Sequence, residues 1–99
     1  MVGREITSEK LHRYFSVTAE ALAKAKVALD SVRKIQADDF LDMAQRYYDD
    51  AHYFEQKGNI VTAFAALNYA HGWLDAGARI GLFKVKDSRL FTVDDHLKQ

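Results

Sequence analysis

The sequence predicts an all-α fold, an up-and-down three-helix bundle followed by a short, partly ordered C-terminal tail. Three observations carry that prediction. Apolar residues recur at spacings of three and four along most of the chain. No proline interrupts them, so glycine and polar clusters are the only punctuation. Residues 44–83 read as one antiparallel hairpin turning at Gly58-Asn59, and its second arm is apolar on almost every side. A helix of that kind must be enclosed by other helices or by a partner chain.

Ninety-nine residues with 48% hydrophobic content suit one domain, 1–99. Its first helix is expected over about 8–36. Thr7 and Ser8 are good N-caps and Glu9 suits the positive end of the helix dipole. Leu11, Phe15, Thr18, Leu22, Ala25, Leu29 and Val32 then follow at alternating spacings, with Tyr14, Ala21, Ala28 and Ile35 widening the stripe. Such a helix would be roughly 43 Å long, more than its neighbour can cover, so one end would overhang or bend.

Ala37-Asp38-Asp39 offers a break and a cap, after which a second helix is expected over 39–57 through Leu41, Ala44, Tyr48, Ala51 and Phe54. Gly58 can close it in the left-handed conformation, and Asn59 can cap the next helix. The third helix, 60–83, sets Ile60, Phe64, Leu67, His71, Leu74 and Ala78 on one seam and interleaves alanines for close packing. In the tail, 84–99, Leu90, Phe91 and Val93 are expected to dock on the bundle, and Thr92 with Asp95 resembles a weak capping box.

Composition excludes several function classes. Without cysteine there is no disulfide framework and no thiolate metal site. Fourteen basic residues balance fourteen acidic ones, so no global field would attract nucleic acid or anionic lipid. The apolar runs are far shorter than the roughly 20 residues that cross a bilayer, and the N-terminus lacks the apolar core of a secretory signal. A cytoplasmic protein is expected, with neither nucleic acid nor membrane as partner. The charge is uneven, with a net +3 over residues 1–36, −4 over 37–59 and +1 over 60–99. The first two helices are therefore expected to pair through complementary sign.

One polar strip stands out on the third helix: Asn68, His71, Gly72, Asp75 and Arg79 at helical spacing. Buried polar groups must find partners. Folding about Gly58-Asn59 would bring Asp49 to the level of Asn68, Arg46 to His71 and Asp42 to Asp75, and Asp42 with Arg46 and Asp75 with Arg79 are i, i+4 neighbours. An Asp-Arg ladder with Asn and His hydrogen bonds, setting the register of the hairpin, is the structural expectation. Asp49 with His52, and His71 with Asp75, also place two possible metal ligands on one helical face. Bundle metal sites, however, draw carboxylates from several helices, and the first helix offers no inward acid. Asp49, His52, Asn68, His71, Asp75 and Arg79 are thus the candidate binding residues, with no catalytic residue, resident metal or cofactor expected. The aromatic residues Tyr47, Tyr48, Tyr53, Tyr69 and Trp73 are expected in the core and at its rim. His12 and His96 have no evident partner, and Gly77 with Gly81 is expected to serve close packing.

The run Tyr47-Tyr48-Asp49-Asp50-Ala51-His52-Tyr53-Phe54, with Lys57-Gly58-Asn59 and Asn68-Tyr69-Ala70-His71-Gly72-Trp73-Leu74-Asp75-Ala76, resembles the archaeal domain-of-unknown-function 357 family. That resemblance implies a small three-helix bundle and no established activity. Tyr47, Ala51, Phe54, Gly58, Asn59, Ile60, Ala63, Leu67 and Ala70 also resemble one unit of a tetratricopeptide repeat, which implies a protein-binding role, although arrays need several stacked copies. Arg46 and His52 are similar in spacing to the catalytic pair of HEPN ribonucleases, but six helical steps put them on different faces. The expectation is a non-enzymatic module that binds a protein or forms a homo-oligomer. The alternative is a small metal-dependent hydrolase or HEPN-like RNase.

Overall fold

The computed structural model describes residues 6–92 of the chain. Three helices, α1 (Ser8–Lys26), α2 (Lys34–Gln56) and α3 (Ile60–Arg79), form the expected up-and-down bundle. Near the start of α1, Leu11 and Phe15 pack with Ala51 and Leu67; near its end, Leu22 and Ala25 pack with Ala44, Leu74 and Ala78. So α1 runs antiparallel to α2 and parallel to α3.

The α2–α3 hairpin owes its register to small residues. Ala37, Ala44 and Ala51 are the residues that α2 buries, and Ala63, Ala70 and Gly77 are buried on α3. Both trios have heptad spacing, and they mirror each other about Lys57, at six, thirteen and twenty residues to either side. A seam with nothing larger than a methyl group lets two backbones approach closely. Larger rings are displaced to the rim, where Tyr47 stacks on Tyr69 (centroids 5.3 Å apart) and Phe40 meets Trp73 edge to face (5.0 Å).

Glycine ends two helices. Gly58 and Gly81 have φ of 80° and 78°, the left-handed conformation that glycine adopts without a steric penalty. Asn59 N–H donates to Phe54 O and Gly58 N–H to Glu55 O; Leu82 N–H donates to Gly77 O and Gly81 N–H to Ala78 O. Each is the paired closure of a Schellman motif. The third helix therefore stops at Arg79, four residues short of the expected Phe83. Asn59 precedes α3 without a side-chain capping bond, whereas Thr7 accepts from Lys10 N–H (3.0 Å) as expected for α1.

The first helix also ends early, at Lys26 rather than Gln36, and Ala37 lies buried inside α2 rather than in a break. Residues 28–30 give their backbone groups to the end of α3. Asp30 N–H donates to Leu82 O (2.8 Å), Lys84 N–H donates to Ala28 O (2.7 Å), and Leu29 bridges Phe83. These bonds replace the helical ladder. Val32 and Ile35 continue the apolar period of α1 in sequence, yet both are exposed by more than 80%. Asp30 locks the knot, accepting from Arg33 Nε at 3.0 Å and Arg33 N–H at 3.2 Å, while Arg33 Nη2 donates to Ile80 O.

Leu90 and Phe91 are buried against the bundle as expected. Val93, Asp95 and His96 lie outside the described residues. The opposite charges of α1 and α2 are mostly used elsewhere. Within α2, Lys34 pairs with Asp38 and Arg46 with Asp42, while Glu20 and Lys24 of α1 reach Arg89 and Asp87 in the tail. His12, expected to lack a partner, lies 3.4 Å from Glu55.

Two predictions follow from the knot at the end of α3. Gly77→Ala adds a methyl group that overlaps the Phe83 ring. It should lower unfolding free energy in urea by about 1–3 kcal/mol, although alanine is the better helix former. The Arg33 side-chain bond, seconded by its backbone N–H and by Lys84, holds the Asp30 carboxyl below its ordinary value. A carboxylate depressed in the folded state stabilises above its unfolded-state pKa, and that contribution is lost as pH falls through the folded value. Asp30→Asn should therefore lower the thermal midpoint at neutral pH, and the gap to the parent should close below roughly pH 4.

Candidate functional site

The polar strip on α3 has its centre in His71, which faces α1 and the tail rather than α2. Its Nε2 lies 2.6 Å from Leu90 O, a carbonyl that can only accept, so Nε2 carries the hydrogen in the neutral ring. Nδ1 is then free to accept from the hydroxyl of buried Thr18, at 3.1 Å. One turn on, Asp75 accepts from Thr92 N–H (2.7 Å) and from the Thr92 hydroxyl (2.9 Å), and its Oδ1 is 3.8 Å from His71 Nε2. Two residues of the strip thus pin the tail across α3 through Leu90 and Thr92, 19 and 17 positions away in sequence, and His71 also reaches Thr18 of α1, 53 positions away. Among the described residues, no buried side-chain nitrogen or oxygen lacks a hydrogen-bond partner.

The tail is also tied to α1. Arg89 donates to both carboxylate oxygens of Glu20, at 2.7 and 3.3 Å, and Lys24 donates to Asp87 at 3.1 Å. These bonds hold the Glu20 and Asp87 carboxyls below their ordinary values and push Arg89 higher. Between the tail, α1 and α3 lies a groove of about 360 Å³, with Tyr14, Thr18, Asn68, His71, Asp75 and Arg89 on its walls. A second groove of about 360 Å³ runs along the other flank of Asn68 and Gly72, and it is apolar, walled by Phe40, Tyr69, Trp73 and Ala76.

Asn68 lines the same groove as His71 and Asp75, whereas Asp49, His52 and Arg79 do not join them. Asp49 is exposed on α2 and accepts from Gln45 at 3.0 Å. His52 stacks on Phe15 (centroids 4.2 Å apart) and meets Tyr48 edge to face at 4.8 Å. Burial there raises the Tyr48 hydroxyl, with the Asp49 and Glu55 charges adding to the effect. Arg79 is exposed, and the Asp75 carboxylate that was expected to pair with it is engaged by Thr92. Of the expected Asp-Arg ladder, the Asp42–Arg46 pair within α2 forms, at 2.9 Å, whereas Asp75 is held by Thr92.

Glu55 lies between His12 and His52, but the two rings approach different carboxylate oxygens, at 3.4 and 3.6 Å. Among the described residues, no three His, Asp or Glu side chains form a group that could hold a metal ion. Arg46 is occupied by Asp42 while His52 turns toward α1, so each member of the HEPN-like pair is engaged separately. Thr18, Leu90 O and Thr92 are the partners that local spacing missed. Thr18 was legible only as a polar residue on an otherwise apolar stripe.

His71→Ala would strand the Thr18 hydroxyl and the Leu90 carbonyl. It should cost about 1–3 kcal/mol in denaturant unfolding and speed hydrogen exchange at the Thr92 amide. Arg79→Ala should stay within about 0.5 kcal/mol of the parent.

No curated protein and no solved structure matches the chain. A family model described as "Protein of unknown function (DUF357)" matches residues 13–83. That span covers most of α1, the whole hairpin and the Leu29–Phe83 bridge, and it stops before the pinned tail. With more than two thirds of its length matched, the chain belongs to the DUF357 family.

Proposed function

We propose that the protein is a non-enzymatic helical module that binds another protein through the outer face of α3. The observation that carries this is Gly72, which is exposed near the middle of α3 with nothing within 4 Å of the position its Cβ would occupy. A glycine inside a helix costs about 1 kcal/mol relative to alanine. Gly77 repays that cost within the chain by seating Phe83; Gly72 has no such internal reason. A partner helix approaching closely supplies one.

The surroundings of Gly72 support the same reading. The third helix was expected to be enclosed on all sides, and Leu67 and Leu74 are indeed buried, with Trp73 half-buried. One stripe is left uncovered, consisting of Val61, Ala65, Tyr69, Gly72, Ala76 and Ile80 at spacings of four and three. It carries no charge, and Val61, Tyr69 and Ile80 are each more than half exposed. The Tyr47–Tyr69 stack and the Phe40–Trp73 pair flank it. Amphipathic helices recognise grooves of this kind through residues at i, i+3, i+4 and i+7, and paired aromatic residues are common anchors at interfaces.

Gly72→Glu separates this proposal from a purely scaffolding role. The variant should melt at or above the parental midpoint, because a better helix former replaces glycine in open space. It should also lose the partner retained by the parent in affinity capture, or the self-association seen in sedimentation equilibrium. A parent that is strictly monomeric and retains no partner, or a variant that keeps its partner, would contradict the proposal.

A further inference from the structure

The end of the bundle opposite the Gly58 turn concentrates positive charge and exposed aliphatic side chains in one place. Segments 24–35 and 79–89 meet there through the Leu29–Phe83 bridge, the Lys84-to-Ala28 backbone bond and the Arg33-to-Ile80 bond. Together they hold eight basic and two acidic residues, a net +6, which leaves −6 for the remainder of a chain that is neutral overall. The two acids are internal to the knot and its tail clamp, Asp30 facing Arg33 and Asp87 facing Lys24, while two of the cations are met by acids from outside these segments, Arg89 by Glu20 and Lys34 by Asp38. Lys26 and Lys86 are exposed and have no carboxylate within salt-bridge distance among the described residues.

The same end displays Val27, Val32 and Ile35, exposed by 86%, 88% and 83%. They alternate with cations in the chain, as Lys26-Val27 and as Val32-Arg33-Lys34-Ile35. The first turn of α2 adds to the positive potential, since it has no acidic residue and no side-chain cap over its free N–H groups. Three protruding β-branched residues contribute nothing to the core and cost solubility. Their placement among cations needs a counterpart that is both anionic and apolar.

We propose that this end docks peripherally on an anionic phospholipid surface. Val27, Val32 and Ile35 enter the boundary between headgroups and acyl chains, and Lys26 and Lys86 meet the phosphates. A headgroup layer over hydrocarbon presents the two chemistries at adjacent depths, which matches aliphatic tips set among lysines. A nucleic acid would answer the charge but not the aliphatic tips, and the exposed tyrosines that could stack on bases, Tyr14, Tyr53 and Tyr69, lie on other parts of the molecule. No helix among the described residues is long and apolar enough to cross a membrane, and peripheral docking requires none. The expectation that no membrane partner exists addressed spanning segments and global charge, and overall neutrality conceals this pole.

Co-sedimentation of the full chain with vesicles tests the proposal, comparing phosphatidylcholine alone with a phosphatidylcholine and phosphatidylglycerol mixture at low and high salt. Retention on the anionic vesicles should exceed that on the neutral ones by at least about tenfold and fall in high salt. The triple variant Val27→Ser/Val32→Ser/Ile35→Ser should lose about tenfold of it, as should Lys26→Gln/Lys86→Gln. Circular dichroism melts confirm folding; should the triple variant fail to fold, Val32→Leu should retain binding and Val32→Asp should lose it. Equal retention on both vesicles, or none on either, overturns the proposal. Undiminished binding by the aliphatic variants also overturns it, and if single-stranded RNA then competes as well as the vesicles do, the surface is a polyanion site.

Discussion

The distance between α2 and α3 is set by side chains no larger than a methyl group, and the rest of the molecule is arranged around that constraint. Ala37, Ala44 and Ala51 on one helix and Ala63 and Ala70 on the other present nothing larger than a methyl group at the seam, and Gly77 beyond them gives its side-chain space to the Phe83 ring. The rings consequently line the rim, where Tyr47–Tyr69 and Phe40–Trp73 form pairs that half-cover the hairpin. Large aliphatic residues point to the opposite side, where α1 supplies Leu11, Phe15 and Leu22 to enclose Leu67 and Leu74. A tightly apposed hairpin with one covered side and one uncovered side follows from this arrangement.

A short α1 leaves the end of that core to be sealed by other means. Phe83, Leu90 and Phe91 fill it, and all three are almost completely buried. They reach that position because Gly81 reverses the chain and because residues 28–30 give their backbone bonds to Leu82 and Lys84. His71 and Asp75 then fasten the tail across the bundle. In a chain without disulfides, polar residues on an apolar helix perform the task of a staple. Their partial burial is tolerated because both ring nitrogens of His71 and both carboxylate oxygens of Asp75 have hydrogen-bond partners.

Much of this was legible in the sequence where a local rule applies. Thr7 marks the start of α1, Gly58 marks the end of α2, and the alanines of α3 signal close approach. The boundary between α1 and α2 was not legible, because Val32 and Ile35 happen to continue a helical period although solvent surrounds them. The residues that end α1 there act at long range, through Leu82, Phe83 and Lys84. The polar strip was legible in part for the same reason. His71 and Asp75 stand out by spacing on α3, but nothing local names Thr18, Leu90 or Thr92 as their partners. Asp49 and His52 joined the candidate set through helical spacing alone, and their side chains have other neighbours, Gln45 and Phe15.

Two unlike surfaces survive once the core and the tail are accounted for, an uncharged stripe on α3 and a basic, aliphatic pole at the end of the bundle. The first depends on the small-residue seam, which holds the hairpin closed with one side outward, and the second on the knot that ends α1 and α3. Equilibrium denaturation of four alanine-to-leucine variants tests that seam most directly. Ala44→Leu and Ala70→Leu, at fully buried seam positions, should each lose about 1–3 kcal/mol. Ala65→Leu and Ala76→Leu, on the exposed face of the same α3 helix, should stay within about 0.5 kcal/mol of the parent. Equal tolerance of leucine at all four positions would contradict the account, since it would mean that the two helices are not held at methyl-group distance.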